Sequence, residues 1–305
     1  SEPSESRRSR CPPPTNTEET RCPYDAPPSR AQALNIKSNI EERRGSNQLG
    51  VIVWQYNEIW PTGGWGSIEY GTPVAGQVIG GRWKPLQYFY LRSIFQDVMA
   101  ACGAGGQCYV RNDQPGLPFE GSVTVSALEF ASGEATVLTS LDLTGSSALR
   151  AGPGVTKFFS VDLTGIDGST HLLTALCTSA KPANGHDAHS ATAVGAARPV
   201  GAAGVANAVS FNEIALLPPY KMKLPAASVH LSVGSAANAD GSVDIHLTTD
   251  KVALYVTLTT LAAGRFSDNA FALSGSATVK FLPFGAVDMP TLSESLRVEH
   301  LQQRI

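Results

Sequence analysis

Three tryptophans and two amide side chains fall close together in this chain: Trp54, Gln55, Asn57, Trp60 and Trp65, all within GVIVWQYNEIWPTGGWGSIEYG (50–71). An indole offers an apolar face on which a sugar ring can stack, and amides offer paired donors and acceptors for hydroxyls. The stretch therefore reads as the rim of a carbohydrate-binding cleft, with these five residues as candidate substrate contacts. Each has a plainer reading. A tryptophan on a buried strand is most often core, and alternation along a regular strand lets at most one of Gln55 and Asn57 share a face with Trp54. Trp60 and Trp65 could line the cleft mouth or pack on the next helix. Glu58 and Glu69 are the carboxylates near the rim, and a surface position is the default for Glu58.

The elements that must position this rim can be read on either side of it. Val51, Ile52 and Val53 form a β-branched run without polar alternation, which predicts a short strand buried on both faces. Upstream, Ser29 is a candidate N-cap for RAQALNIKSNIEERRG, with Ala33, Ile36 and Ile40 at helical spacing, Arg43 and Arg44 in the last turn and Gly45 as the stop. Downstream, a helix is expected from Trp83 or Pro85 through LQYFYLRSIFQDVMAA to Gly103, proline being tolerated in a first turn. Helix, strand, loop and helix in that order make a (β/α) unit, whose sites lie at the carboxyl ends of the strands.

Two separated signatures carry a family resemblance. WQYNEIW followed by WGSIEYG and GGRWKPLQYFY resembles the end of the catalytic barrel in β-mannosidases of glycoside hydrolase family 2. Far downstream, AAGRFSDNAFAL with KFLPF resembles the closing sandwich domain of the same enzymes. The resemblance runs from about residue 30 to the end and is weakest over about 115–205, where strand rhythm matches more than residues. It implies hydrolysis of terminal β-D-mannosides with retention, a β-mannoside or oligosaccharide as ligand, and Trp54 as the floor under the mannose ring. Family relatives in animals are lysosomal and glycosylated; no compartment is assigned to this chain.

The resemblance also exposes a departure. A (β/α)8 barrel takes roughly 200 residues or more, whereas the α/β pattern covers only 29–103 here. Retaining glycosidases use two carboxylates about 5 Å apart, and the glutamates ahead of Trp54 (Glu2, Glu5, Glu18, Glu19, Glu41, Glu42) stand in none of the contexts the family implies. No catalytic residue is therefore assigned, and the chain by itself is expected to be inactive. The alternative is a non-catalytic interaction or carbohydrate-binding module. A barrel remnant with its neighbours missing would also leave apolar surface open, which predicts either docking of this segment onto the sandwiches or self-association.

After Gly103 the pattern turns to short alternating segments between Gly, Asp, Asn and Pro turns: CYVRND, GSVTVSALEF, ATVLTSLDLTG, KFFSVDL and HLLTALCTSA, then AVSFNEIALLPP. In GSVTVSALEF, Val123, Val125 and Ala127 share one face, and Thr124, Ser126 and Leu128 the other. From about Ala227 the same rhythm resumes in ASVHLSVG, SVDIHLTTD, KVALYVTLTT, RFSDNAFALSG and ATVKFLPFG, with Asp240-Gly241 as a turn. The expected fold is mainly β: two immunoglobulin-like β-sandwich domains (104–226 and 227–305) following an α/β remnant of a (β/α)8 barrel (29–103). Residues 1–28 hold seven prolines and few large aliphatics, which predicts a disordered arm; 181–205, rich in Gly and Ala, predict an insertion loop. GRFSDN reads as a turn whose Asp268 and Asn269 make local backbone bonds.

Composition excludes several partners. The formal charge of −3 and the scatter of basic residues leave no footprint for nucleic acid or an anionic membrane. These residues contain no run long and apolar enough for a signal h-region or a membrane span. The five cysteines show no metal-ligand spacing, and His186-Asp187-Ala188-His189 sits in a Gly/Ala stretch without a third ligand, so neither metal nor cofactor is expected. Cys102 and Cys108 could form a local disulfide or remain two buried thiols.

Overall fold

The computed structural model describes residues 27–48, 50–58, 66–74, 77–152, 154–181 and 207–303. Residues 1–26 of the expected arm and most of the expected insertion loop, with His186 and His189, lie outside these residues, while Pro27 and Pro28, expected in the arm, are helical.

The chain is mainly β. Among the described residues, four short sheets form two layered pairs, and a fifth, two-stranded sheet belongs to the α/β region. In the first pair, β3 (Val98–Cys102), β4 (Gln107–Asn112) and β7 (Val155–Ser160) face β6 (Ala135–Leu143), β5 (Gly121–Glu129), β8 (His171–Ser179) and β9 (Ala208–Ala215), all neighbours antiparallel. Alternation drives the layering. Val123, Val125 and Ala127 of β5 point inward with Val98, Ala100, Val110, Leu173 and Ala175, while Leu128 turns to a different cluster with Phe130 and Leu172. Gly121 is required by closeness: a Cβ there would meet the Thr178 carbonyl oxygen at 1.9 Å. Gly121→Ala must push strand from strand, and a loss of about 1–3 kcal/mol is expected. A lowered urea midpoint with unchanged slope would show it.

The second pair stacks β10 (Val229–Val233), β11 (Val243–Thr249), β15 (Ser276–Pro283) and β13 (Gly264–Phe266) on β14 (Phe271–Leu273), β12 (Ala253–Thr259) and β16 (Arg297–Glu299). Its core contains Ile245, Leu247, Val256, Leu258, Phe271, Val279 and Phe281. A helix that pattern reading missed, α3 (Met289–Ser295), adds Leu292 to this core and is capped by the Asp288 carboxylate accepting from the Thr291 N–H at 3.0 Å. The Asp240-Gly241 turn forms, with Gly241 at φ +79°. Between the two sandwiches, Leu128, Phe130, Leu172, Met222, Leu254 and Tyr255 make a shared apolar seam.

The α/β region departs from expectation in two places. Helix α1 (Pro27–Gly45) ends at Gly45 as predicted but begins at Pro27, so Ser29 lies inside it instead of capping it, and the second helix is short: α2 (Pro85–Phe89) passes into one wide turn, Tyr90–Ile94, and stops. VMAAC, expected as its end, is strand β3. These residues are almost wholly buried and pair in register with β4, where the Cys102–Cys108 disulfide links directly opposed positions. An apolar run this long looks alike to helix and strand, and the cross-strand partner decides. The second departure concerns the rim. Residues 50–58 join no ladder, and the regular pairing nearby is the antiparallel hairpin of β1 (Ile68–Val74) and β2 (Gln77–Trp83). Among the described residues, no helix is long and apolar enough to cross a membrane.

Candidate functional site

The rim segment has one covered face and one bare face. Val51 and Val53 pack onto Ala33 and Ile40 of α1, Leu86 and Phe89 of α2, Ile94, and Ala270 from the second sandwich. The intervening side chains point away: Ile52 is 99% exposed, Trp54 74% and Tyr56 66%. The expectation of a strand buried on both faces is thereby corrected. Two helices cover the valine side, and no described residues form a second layer over the other side.

Polar residues fix the segment to the hairpin beside it. Ile68 donates its N–H to the Tyr56 carbonyl at 3.0 Å, and Glu58 donates to the Ile68 carbonyl at 2.8 Å, so Asn57 and Ile68 form an isolated parallel bridge. Gly66 permits this approach, since a Cβ on it would lie 2.3 Å from the Glu58 nitrogen. The Asn57 amide donates to the Tyr70 hydroxyl at 3.0 Å, and Tyr70 is itself exposed. Gln55 is half-buried, its carbonyl accepting from the Ser67 N–H at 3.2 Å. Asn57 and Tyr70 are thus joined directly, and Trp54 stands exposed on the same segment as Asn57. Trp60 and Trp65 lie outside the described residues.

The two carboxylates of the rim are both engaged. Glu58, expected at the surface, is only 2% exposed and pairs with the Lys84 ammonium. A buried carboxylate is tolerable only with such a partner, and Lys84 is placed for it by its own N–H, which donates to the Ser67 carbonyl at 2.8 Å. Gln87 donates to the Ser67 hydroxyl at 2.7 Å, and that hydroxyl donates to the Tyr56 carbonyl at 2.8 Å. Glu69 pairs with Arg82 across the hairpin at 2.8 Å. Among the described residues, no group of three or more His, Cys, Asp or Glu could hold a metal ion. The assembly can present aromatic surface and hydroxyl or amide groups to a ligand; it offers no pair of free carboxylates for acid and nucleophile.

Comparison with known proteins adds an independent line. Residues 224–304 match the Ig_mannosidase family model, an Ig-fold domain. β-Mannosidase A of Aspergillus oryzae is 40% identical over 75 residues, which cover 23% of this chain and 7% of that protein. The β-mannosidase of Mus musculus is 37% identical over 59 residues, 19% of this chain and 6% of the relative. The chain resembles the C-terminal part of a family 2 β-mannosidase.

Solved structures agree at the level of fold. The β-D-mannosidase of Dictyoglomus thermophilum superposes with a TM-score of 0.58 at 19% identity, over 89% of this chain and 29% of that one. The exo-chitosanase of Amycolatopsis orientalis does so with a TM-score of 0.54 at 16% identity, over 89% and 33%. The chain therefore spans no more than a third of these structures, and a small fraction of the curated relatives it matches.

Two structural anchors escaped pattern reading. Lys84 sits in RWKPLQ, where a lysine just before a helix-starting proline was the available signal. Arg92 is a lone cation inside YFYLRSIF; it is 3% exposed and pairs with Asp268 at 2.8 Å and Glu213 at 3.5 Å. GRFSDN does form the expected turn, with the Asn269 N–H donating to the Asp268 carboxylate at 2.7 Å. Asn269 also reaches across to Leu258, accepting its N–H at 2.7 Å and donating to its carbonyl at 2.9 Å.

Proposed function

We propose that this chain serves as the carboxyl-terminal part of a retaining β-mannosidase, supplying the Trp54 floor of a mannose subsite whose acid/base and nucleophile come from polypeptide outside these 305 residues. In this reading, the end of a (β/α)8 barrel runs from α1 to about residue 97, ahead of β3, and the two sandwich domains that follow meet near residue 226. The observation that carries the reading is the orientation of the rim. A segment backed by two helices through Val51 and Val53, with Ile52, Trp54 and Tyr56 on its other side, has the sidedness of a barrel strand whose inward face awaits its neighbours. The partial likeness to β-mannosidases supports it.

The direct test is a titration of methyl β-D-mannoside followed by tryptophan fluorescence, in the parent chain and in Trp54→Phe. A saturable change is expected in the parent, with half-saturation on the order of millimolar, about −4 kcal/mol of binding, and it should be lost in the variant. An unchanged response in Trp54→Phe would remove Trp54 from the site. The absence of any response in the parent would remove sugar binding by this chain. The same bare face predicts self-association, and light scattering that reports a monomer at all concentrations would count against that part.

A further inference from the structure

A single buried guanidinium lies where the three parts of the chain meet. Arg92 stands on the wide turn after α2, and its Nη1 donates to the Asp268 carboxylate at 2.8 Å and to the Asn269 carbonyl at 3.3 Å. Its Nη2 donates to the Ala270 carbonyl at 3.1 Å and to the Glu213 carboxylate at 3.5 Å. Asp268 and Asn269 end the GRFSDN turn of the second sandwich, Ala270 follows it, and Glu213 belongs to β9 of the first. Glu213 is fixed in turn by accepting the Ala272 N–H at 2.9 Å. On its other side, the guanidinium carbon lies 5.1 Å from the centre of the Phe89 ring.

These contacts lead to the rim in two steps. Phe89 and Ala270, both touched by Arg92, are members of the cluster that backs Val51 and Val53. At the other end of the same short helix, Lys84 holds Glu58 and Ser67. The helix that supports the rim from behind is therefore clamped to both sandwiches at one end and to the rim itself at the other. Interiors this tightly packed transmit a displacement instead of absorbing it.

We propose that Arg92 is a positioning residue for the Trp54 rim: by tying Asp268 of the second sandwich and Glu213 of the first to the helix behind Val51 and Val53, it sets where the Trp54 indole stands. This gives the GRFSDN turn a task beyond its local hydrogen bonds. The importance of that position for sugar rests on the reading above, but the coupling does not.

The test uses the full chain labelled with 5-fluorotryptophan and read by fluorine NMR, the Trp54 line being assigned by its loss in Trp54→Phe. In Arg92→Met the Trp54 line is expected to shift by more than its width. Arg92→Lys, which can keep one donor toward Asp268, should return it part of the way. Leu143→Ala is the control, since it destabilises by removing a fully buried side chain from the core of the first sandwich, outside the cluster behind Val51 and Val53, and it should leave the Trp54 line in place. An unmoved Trp54 line in folded Arg92→Met, or an equal shift in Leu143→Ala, would overturn the proposal. If Arg92→Met does not fold, Arg92→Lys decides alone, a moved line supporting the coupling and an unmoved one ending it. Methyl β-D-mannoside added to the parent separates the two ideas: lines indifferent to sugar but responsive at Arg92 would discard the mannose subsite and keep the coupling.

Discussion

Arg92→Met is expected to lower the unfolding free energy by about 3–5 kcal/mol, because it leaves two carboxylates in the interior without their cation. Asp268 and Glu213 have side chains only 4% and 5% exposed, so water cannot replace the guanidinium unless the turn opens. The carbonyls of Asn269 and Ala270 lose their donor in the same step. Burial pulls against the charged guanidinium, and the attraction of Asp268 and Glu213 outweighs it, holding Arg92 above its ordinary value. A urea titration of parent and variant gives the difference directly. Removing all three charges together, as Arg92→Met with Asp268→Leu and Glu213→Met, should recover much of the loss, since apolar replacements of a buried ion cluster need no desolvation of charge. A single variant as stable as the parent would mean that the cluster is solvated.

The same cluster has a pH signature of definite sign. One guanidinium faces two carboxylates, and the closer, Asp268, takes the better bond. Burial pushes the Glu213 carboxyl up from its ordinary 4.5, and the attraction of Arg92 offsets this only in part. An acid whose folded value is raised holds its proton longer in the native state than in the unfolded one. Its contribution is therefore full below 4.5 and declines as pH rises from there through the folded value. The stability of the parent minus that of Glu213→Gln should accordingly fall between acid and neutral pH. A difference that rises over this range would put Glu213 in the ordinary class of ion-paired carboxylates.

How much of this was legible depends on whether a residue's partner lies nearby in sequence. The sandwich strands were readable because their cause is local. Val123, Val125 and Ala127 alternate with polar neighbours, and the Asp240-Gly241 turn announces itself by composition. The resemblance to the mannosidase Ig-fold domain was legible in GRFSDN and KFLPF for a similar reason, being written in adjacent residues. By contrast, Val51-Ile52-Val53 carries no polar alternation, so the sequence could not say that one side is covered by helices and the other bare. YFYLRSIFQDVMAAC suited a long helix until β4 supplied a partner for VMAAC. Glu58 looked like surface because its cation stands 26 positions later, and Arg92 finds Asp268 across a separation of 176. Such pairs leave no periodic trace; what the sequence does retain is the anomaly of a single charge in an apolar run.

The chain alone is expected to release no nitrophenol from p-nitrophenyl β-D-mannoside above a buffer blank. Glycosidic bonds are among the slow uncatalysed reactions, and enzymes reach accelerations of roughly 10⁶ to 10¹⁷ only with the catalytic groups in place. Here the retaining route needs two carboxylates about 5 Å apart on either side of the scissile bond. At the rim, Glu58 is buried against Lys84 and Glu69 is paired with Arg82. On α1, Glu41 is held by Lys37 at 2.7 Å and by the Asn212 amide at 2.6 Å. Each would have to break an ion pair before it could take or give a proton. Stacking on Trp54 does not help, because a ring floor grips substrate and transition state nearly alike, and uniform binding lowers no barrier. The expected phenotype is thus binding without turnover, with fluorescence titrating against mannoside in a protein that leaves the glycosidic bond intact. Turnover that disappears in Glu58→Gln or Glu69→Gln, with fold retained, would show that the 305 residues carry their own catalytic carboxylate and that the paired state seen here opens in use.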